Sequence, residues 1–194
     1  MKLVFATHNQ NKFKEVKVLL PLHIELVSLT DIGCHDEIPE TAKTLRGNAK
    51  IKADFVTINY GLPCFADDTG LLVDALNGEP GVYSARYAGE QKSADANMNK
   101  LLSALENKDS RSARFETVIA LNLKQETICF TGIAAGKIIK TKSGQKGFGY
   151  DPIFQPEGYD KTFAELPLEV KNEISHRGKA IKQLVEYLHQ LPSK

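Results

Sequence analysis

Apolar positions along this chain follow two rhythms, a short unbroken or alternating one and a helical one, and the two succeed each other from end to end. Leu3 to Ala6 is a brief apolar run, the mark of a buried strand. It gives way to the polar stretch Thr7-His8-Asn9-Gln10-Asn11-Lys12. Phe13, Val16 and Leu20 then recur at helical spacing, with Val18 and Leu19 beside them, until Pro21 stops the helix. Ile24 to Leu29 predicts a second strand. An acidic loop follows with Asp31, Asp36, Glu37 and Glu40. From Thr41 to about Asn59 a helix turns Leu45, Ala49, Ala53 and Val56 inward, and Gly61 and Pro63 close it.

The middle of the chain changes character. Cys64-Phe65-Ala66 reads as a strand ending at the acidic pair Asp67-Asp68, with Gly70 free to turn before the apolar Leu71-Leu72-Val73. Asn77-Gly78 and Pro80-Gly81 are turn dipeptides. Ser93 to Leu105 is amphipathic and gathers Met98, Leu101, Leu102 and Leu105. Arg114 to Leu123 alternates Phe115, Thr117, Ile119 and Leu121. Thr127 to Ala135 is apolar and β-branched, extends toward Lys140, and is joined to the preceding strand by a hairpin turn at Lys124-Gln125. This block predicts antiparallel sheet and a second lobe. A last helix starts near Ser175 and buries Ile181, Leu184, Val185 and Leu188.

Composition narrows the class. A hydrophobic fraction of 42% with 25% charged residues is that of a globular chain, and 194 residues suffice for one large domain or two joined lobes. Net charge is +1, so no broad field points to nucleic acid or a membrane. Cys34, Cys64 and Cys129 lie far apart without a CxxC, which argues for core thiols in a reducing compartment rather than zinc or a disulfide framework. The apolar run at the N-terminus is too short for a signal peptide and nothing approaches a membrane span, so a cytoplasmic location is expected.

Four stretches carry candidate chemistry. Two adjacent carboxylates repel and raise each other's pKa; a divalent cation relieves that, and Mg²⁺ is typically held by one or two carboxylates with substrate phosphates. The alternative for Asp67-Asp68 is an Asp-rich turn. A strand, a polar loop and a helix start form a phosphate site from unpartnered N–H groups, with Lys12 adding a charge; capping by Asn9 or Asn11 is the alternative. Gly147-Phe148-Gly149-Tyr150-Asp151 offers an aromatic face beside a carboxylate, suited to a nucleobase, or else a buried aromatic anchor. Arg177 presents a planar fork of donors and His176 a ring donor at a helix start. Lys50 and Lys52 read by default as a solvated helix face, and Glu40 as an ordinary acid near a helix start.

Taken in order, Thr7 to Lys12, Ala66-Asp67-Asp68-Thr69-Gly70-Leu71, Pro80-Gly81-Val82-Tyr83-Ser84-Ala85-Arg86, Gly147 to Phe154 and Ser175-His176-Arg177-Gly178 resemble the inosine triphosphate pyrophosphatase family, the non-canonical purine NTP pyrophosphatases. The resemblance runs from Leu3 to near the C-terminus. It implies an α/β fold, a single domain over residues 1–194 in which a long mixed sheet and flanking helices make two lobes around a central cleft. It implies a homodimer that hydrolyses ITP, dITP and XTP to monophosphate and pyrophosphate with Mg²⁺. By the same resemblance Thr7, His8, Asn9, Gln10, Asn11 and Lys12 form the phosphate loop. Asp68 is proton acceptor and metal ligand, Glu40 the second ligand and Thr69 a substrate contact. Phe148, Gly149, Tyr150 and Asp151 line the base pocket, and Lys171, His176 and Arg177 complete the site. Asn48 and Lys52 fall in the family's Asn-Ala-x-x-Lys-Ala segment, with Lys52 on the phosphates. His8 stands where many members have glycine, and Gly47 where a glutamate is usual. A related pyrophosphatase for pyrimidine or modified nucleotides, and a non-enzymatic nucleotide-binding module, are the rival readings.

Overall fold

The computed structural model describes residues 1–190. Its strands are β1 (Lys2–Phe5), β2 (Glu25–Ser28), β3 (Cys64–Val73), β4 (Pro80–Gly81), β5 (Ser112–Leu123), β6 (Glu126–Ile138) and β7 (Phe154–Pro156). Its helices are α1 (Gln10–Lys17), α2 (Leu45–Tyr60), α3 (Ala94–Ala104), α4 (Leu168–Ile174) and α5 (His176–His189). The strands are ordered β2-β1-β3-β5-β6-β7, with β4 beside β3. β1 is parallel to β2 and to β3, while β3–β4 and β6–β7 are antiparallel, so the sheet is mixed as expected.

By packing the chain divides into two compact units. The first comprises Met1–Asp68, Thr117–Gly132 and the chain from Arg177; the second comprises Thr69–Glu116 and Ile133–His176. In the first unit, the two-residue period of a strand sorts side chains onto two faces. Leu3, Phe5, Phe65, Ile119 and Leu121 pack with Val16 of α1 and with Ala180, Ile181, Leu184 and Leu188 of α5. Phe5 and Phe65 stack at 4.6 Å with planes 7° apart. The intervening Val4, Ala6, Cys64, Ala66 and Ala120 pack with Ala49, Ala53 and Val56 of α2. The second unit has its own core, in which Leu71 and Val73 meet Met98, Leu101 and Leu105 around α3, with Phe115, Phe154 and Phe163. Each fully buried large apolar side chain contributes about 1.5–3 kcal/mol relative to exposure.

Several expectations need correction. α2 begins at Leu45, not Thr41, because the Thr44 hydroxyl accepts from Gly47 N and fixes the start there. α1 ends at Lys17; Leu19 N and Leu20 N both return to Val16 O, and Val18 is solvent-exposed. β3 is one ten-residue strand, so the acidic pair lies inside it and Gly70 makes no turn. The apolar runs on either side of the pair each enter a core, which keeps the strand extended through the charges. α4 was not anticipated; its seven residues carry too little pattern to stand out. Cys34 and Cys64 are buried free thiols, whereas Cys129 is only half-buried. The Lys124-Gln125 turn is confirmed, with both residues left-handed (φ 51° and 67°) although neither is glycine.

Candidate active site

Because successive residues of a strand point to opposite faces, Asp67 and Asp68 do not form a pair. Asp67 joins the odd-numbered side chains facing α1 and α5. There its Oδ1 accepts from Lys12 Nζ at 2.9 Å and its Oδ2 from Arg177 Nε at 3.2 Å. Arg177 Nη1 also donates to Glu15 Oε2 at 2.6 Å. Asp68 joins the even-numbered side chains facing α2, where its Oδ1 accepts from Lys52 Nζ at 3.2 Å and its Oδ2 from Asn48 Nδ2 at 3.1 Å. Lys52 Nζ donates in addition to Glu40 Oε1 at 2.6 Å, and Asn48 Oδ1 accepts from Ala42 N, which ties the segment carrying Glu40 to α2. The repulsion that the sequence suggested is thus resolved by separating the carboxylates and giving each its own cations. Lys52 is buried rather than on a solvated face, and Glu40 stands ahead of the first turn of α2.

The electrostatics of the two neighbours diverge. Burial works against ionisation of Asp67, but Lys12, Arg177 and Lys52 outweigh it and hold its pKa well below the usual carboxylate range. Burial also dominates at Asp68, where Lys52 pulls the value down and Glu40 pushes it up, and the net shift is upward. For Lys52, burial is outweighed by Asp68, Glu40 and Asp67, so its pKa rises and it stays charged. Three cations, Lys12, Lys52 and Arg177, are paired here with four carboxylates, Asp67, Asp68, Glu40 and Glu15.

The loop before α1 serves the same unit. Asn9 caps α1, its Oδ1 accepting from Asn11 N at 2.9 Å and Lys12 N at 3.2 Å, and Thr7 Oγ1 accepts from Asn9 N. His8 is exposed and its Nε2 lies 3.0 Å from Asp36 O. Gln10 and Asn11 are exposed at the helix start.

The second unit carries a different cluster. Lys171 Nζ donates to Asp151 Oδ2 at 2.7 Å, and the same oxygen accepts from Phe148 N at 2.8 Å. That ammonium also lies 5.3 Å from the Phe148 ring centre and 5.8 Å from that of Phe163, a cation–π placement. His176 is buried and stacks on Phe115 at 4.5 Å, 17° from parallel. Gly147 has φ 75°, and a Cβ there would fall 2.0 Å from Asp151 Oδ2, so the carboxylate fills the space a side chain would need. Gly149 and Phe148 are half-buried, as is Thr69. Tyr150 is buried with its hydroxyl donating to Ser84 O, which makes it a prop of this unit's core.

Sequence reading missed Glu15, Phe115 and Phe163 as members of these clusters. Glu15 sits one turn from Lys12 on α1, which offers no signal of a partner on α5. Phe115 was legible only as a strand residue. Asp67 was singled out, but beside Asp68 rather than between Lys12 and Arg177.

The α/β chain thus carries a buried acid–cation cluster in one unit and an aromatic–ion-pair cluster in the other. Comparison with known proteins identifies its family: the profile of the Ham1 family matches residues 3–187, and the chain belongs to that family. A dITP/XTP pyrophosphatase of Flavobacterium johnsoniae is 66% identical over 97% of this chain and 98% of that protein. The solved Ham1 protein of Staphylococcus aureus is 42% identical, with a TM-score of 0.89 over 97% of this chain and 98% of its own. That of Coxiella burnetii is 40% identical, with a TM-score of 0.91 over 98% of this chain and 100% of its own.

Proposed function

We propose that this chain is a nucleoside triphosphate pyrophosphatase that hydrolyses deaminated purine nucleotides (ITP, dITP and XTP) to the monophosphate and pyrophosphate, removing them from the nucleotide pool. The observation that carries the reading is the meeting of Glu40 and Asp68 on one cationic centre, Lys52 Nζ, in a cluster that also holds Lys12 and Arg177. Two carboxylates that converge on a cation fit Mg²⁺, which one or two carboxylates hold together with substrate phosphates. Among the described residues no group of three His, Cys, Asp or Glu gathers to hold a metal; Glu40 and Asp68 are the residues that would hold it. Held by Glu40 and Asp68, Mg²⁺ would supply charge neutralisation at the triphosphate.

Asp68 has the raised proton affinity of a general base. It takes the proton of a water whose oxygen attacks the α-phosphorus; the bond from that phosphorus to the bridging oxygen breaks, and pyrophosphate leaves. Lys52 takes up its charge, and Lys12 and Arg177 bind the triphosphate in ground and transition states alike. Thr7 to Lys12, with Thr69, position the phosphates. In the second unit Phe148 and Gly149 offer the base a stacking surface braced by Asp151 and Lys171. His176 donates to the 6-oxo group of hypoxanthine or xanthine, where adenine would set donor against donor and leave buried groups unpaired, at about 1–3 kcal/mol each. Homodimerisation and a cytoplasmic location belong to the same reading; no helix among the described residues is long and apolar enough to cross a membrane.

The test is a substrate panel of ITP, XTP, ATP, GTP, UTP and dTTP with and without Mg²⁺, repeated on His176→Ala. Mg²⁺-dependent pyrophosphate release from ITP and XTP is expected, with the ITP-over-ATP preference falling about tenfold in the variant. Preference for UTP or dTTP would instead make it a pyrimidine pyrophosphatase, and binding without turnover a nucleotide-binding module.

A further inference from the structure

We infer that Asp67 is a positioning residue, which holds Lys12 and Arg177 where the triphosphate needs them. The inference rests on the pyrophosphatase reading above. Both carboxylate oxygens of Asp67 are engaged, one by each cation, and the side chain lies on the opposite strand face from Asp68. Asp67 is 2% exposed and Arg177 3%. A buried ion pair adds little stability over well-packed apolar side chains, so stability alone does not account for two buried charges and a half-buried one at this point.

Their placement supplies the account. Lys12 lies in the first turn of α1, which contains no acidic residue, and Arg177 is the second residue of α5. Helix N-termini are positive, so a cation there is unfavourable and the two starts together form a strongly positive focus. That focus suits a polyanion, yet it needs a counter-charge while no substrate is bound. Asp67, projecting from β3, provides it and fixes the long, flexible Lys12 side chain in one geometry. Glu15 holds the far side of the Arg177 fork.

The test is a set of mutant cycles with ITP as substrate, reading KM and kcat separately. Asp67→Asn is expected to raise KM about tenfold with kcat moved by less than about threefold, and Asp67→Glu to recover part of the loss. In a Lys12→Ala/Arg177→Ala background, Asp67→Asn is expected to change KM by less than about twofold, because its targets are gone. An effect of the same size in that background, or an unchanged KM in the single variant, overturns the inference. If Asp67→Asn shows no cooperative thermal transition, Glu15→Gln with and without Arg177→Ala decides: a KM increase of about threefold that vanishes without Arg177 supports a held Arg177, and an additive effect refutes it. Wild-type protein that releases no pyrophosphate from ITP would sink the pyrophosphatase reading itself, whereas an active wild type with additive variants sinks only the role of Asp67.

Discussion

The two clusters solve opposite problems with different materials. In the first unit seven charged side chains surround β3, each held by partners of opposite sign, and the aromatic pair Phe5 with Phe65 lies in the core. In the second unit one buried ion pair, Lys171–Asp151, sits against Phe148 and Phe163, and a histidine is sandwiched into aromatic surroundings. A cluster of many balanced charges can exchange one counter-ion for another, a cation or a polyanion, with little reorganisation. An aromatic wall with a single fixed dipole discriminates shape and hydrogen-bond edges but does little to move charge. Chemistry is therefore expected from the first unit and recognition from the second.

The largest effect that divides them is at Asp68. Asp68→Asn is expected to lower kcat for ITP about a thousandfold while KM moves by less than about threefold, measured by pyrophosphate release. Loss of binding rather than turnover would place the chemistry elsewhere. The corresponding break in the second unit is one of stability. Asp151→Ala strips Lys171 and Phe148 N of a shared acceptor and is expected to cost about 3–5 kcal/mol in urea unfolding, with Lys171→Met in the same chain restoring part of it.

A pH series sharpens the contrast within β3. The folded pKa of Asp67 is depressed, so its contribution to stability is complete above the unfolded carboxylate value, about 3.9, and is lost as pH falls toward the lowered folded value. Metal-free wild type should lose stability on acidification below about pH 4, and Asp67→Asn should show a flatter acid limb. The smallest effect lies away from both clusters. Replacing Lys124 by Asn and Gln125 by Gly suits the left-handed backbone at both positions and is expected to raise stability by about 1 kcal/mol with unchanged turnover.

Much of this was legible in the sequence because the signals are local. Strand alternation marked β5, the hairpin turn was placed from its flanks, and the helical faces of α2, α3 and α5 were found from spacing, as the buried Ala49, Met98 and Leu184 attest. Lys12, Asp68, Asp151 and Arg177 stood out through motifs and all proved buried or half-buried among opposite charges. What failed was partnership across the fold. Lys52 looked solvated because nothing on α2 announces that Glu40 and Asp68 meet it. Asp67-Asp68 looked like a pair because adjacency in sequence hides the strand geometry that sends the two to opposite faces. His176 read as a ring donor at a helix start, and its burial was not legible because its stacking partners Phe115 and Phe163 lie far away along the chain. The start of α2 was misplaced because Thr44 competes with Thr41 as a cap and only the hydrogen bond to Gly47 distinguishes them.

The central claim is that water attacks the α-phosphorus of the nucleotide with Asp68 as its base. Hydrolysis of ITP in heavy-oxygen water with Mg²⁺, followed by mass analysis of the products, tests it directly. The account predicts IMP and pyrophosphate in equal amounts, with the heavy oxygen in IMP alone and the reaction lost in Asp68→Asn. Label in pyrophosphate, or inorganic phosphate as the first product, would contradict it.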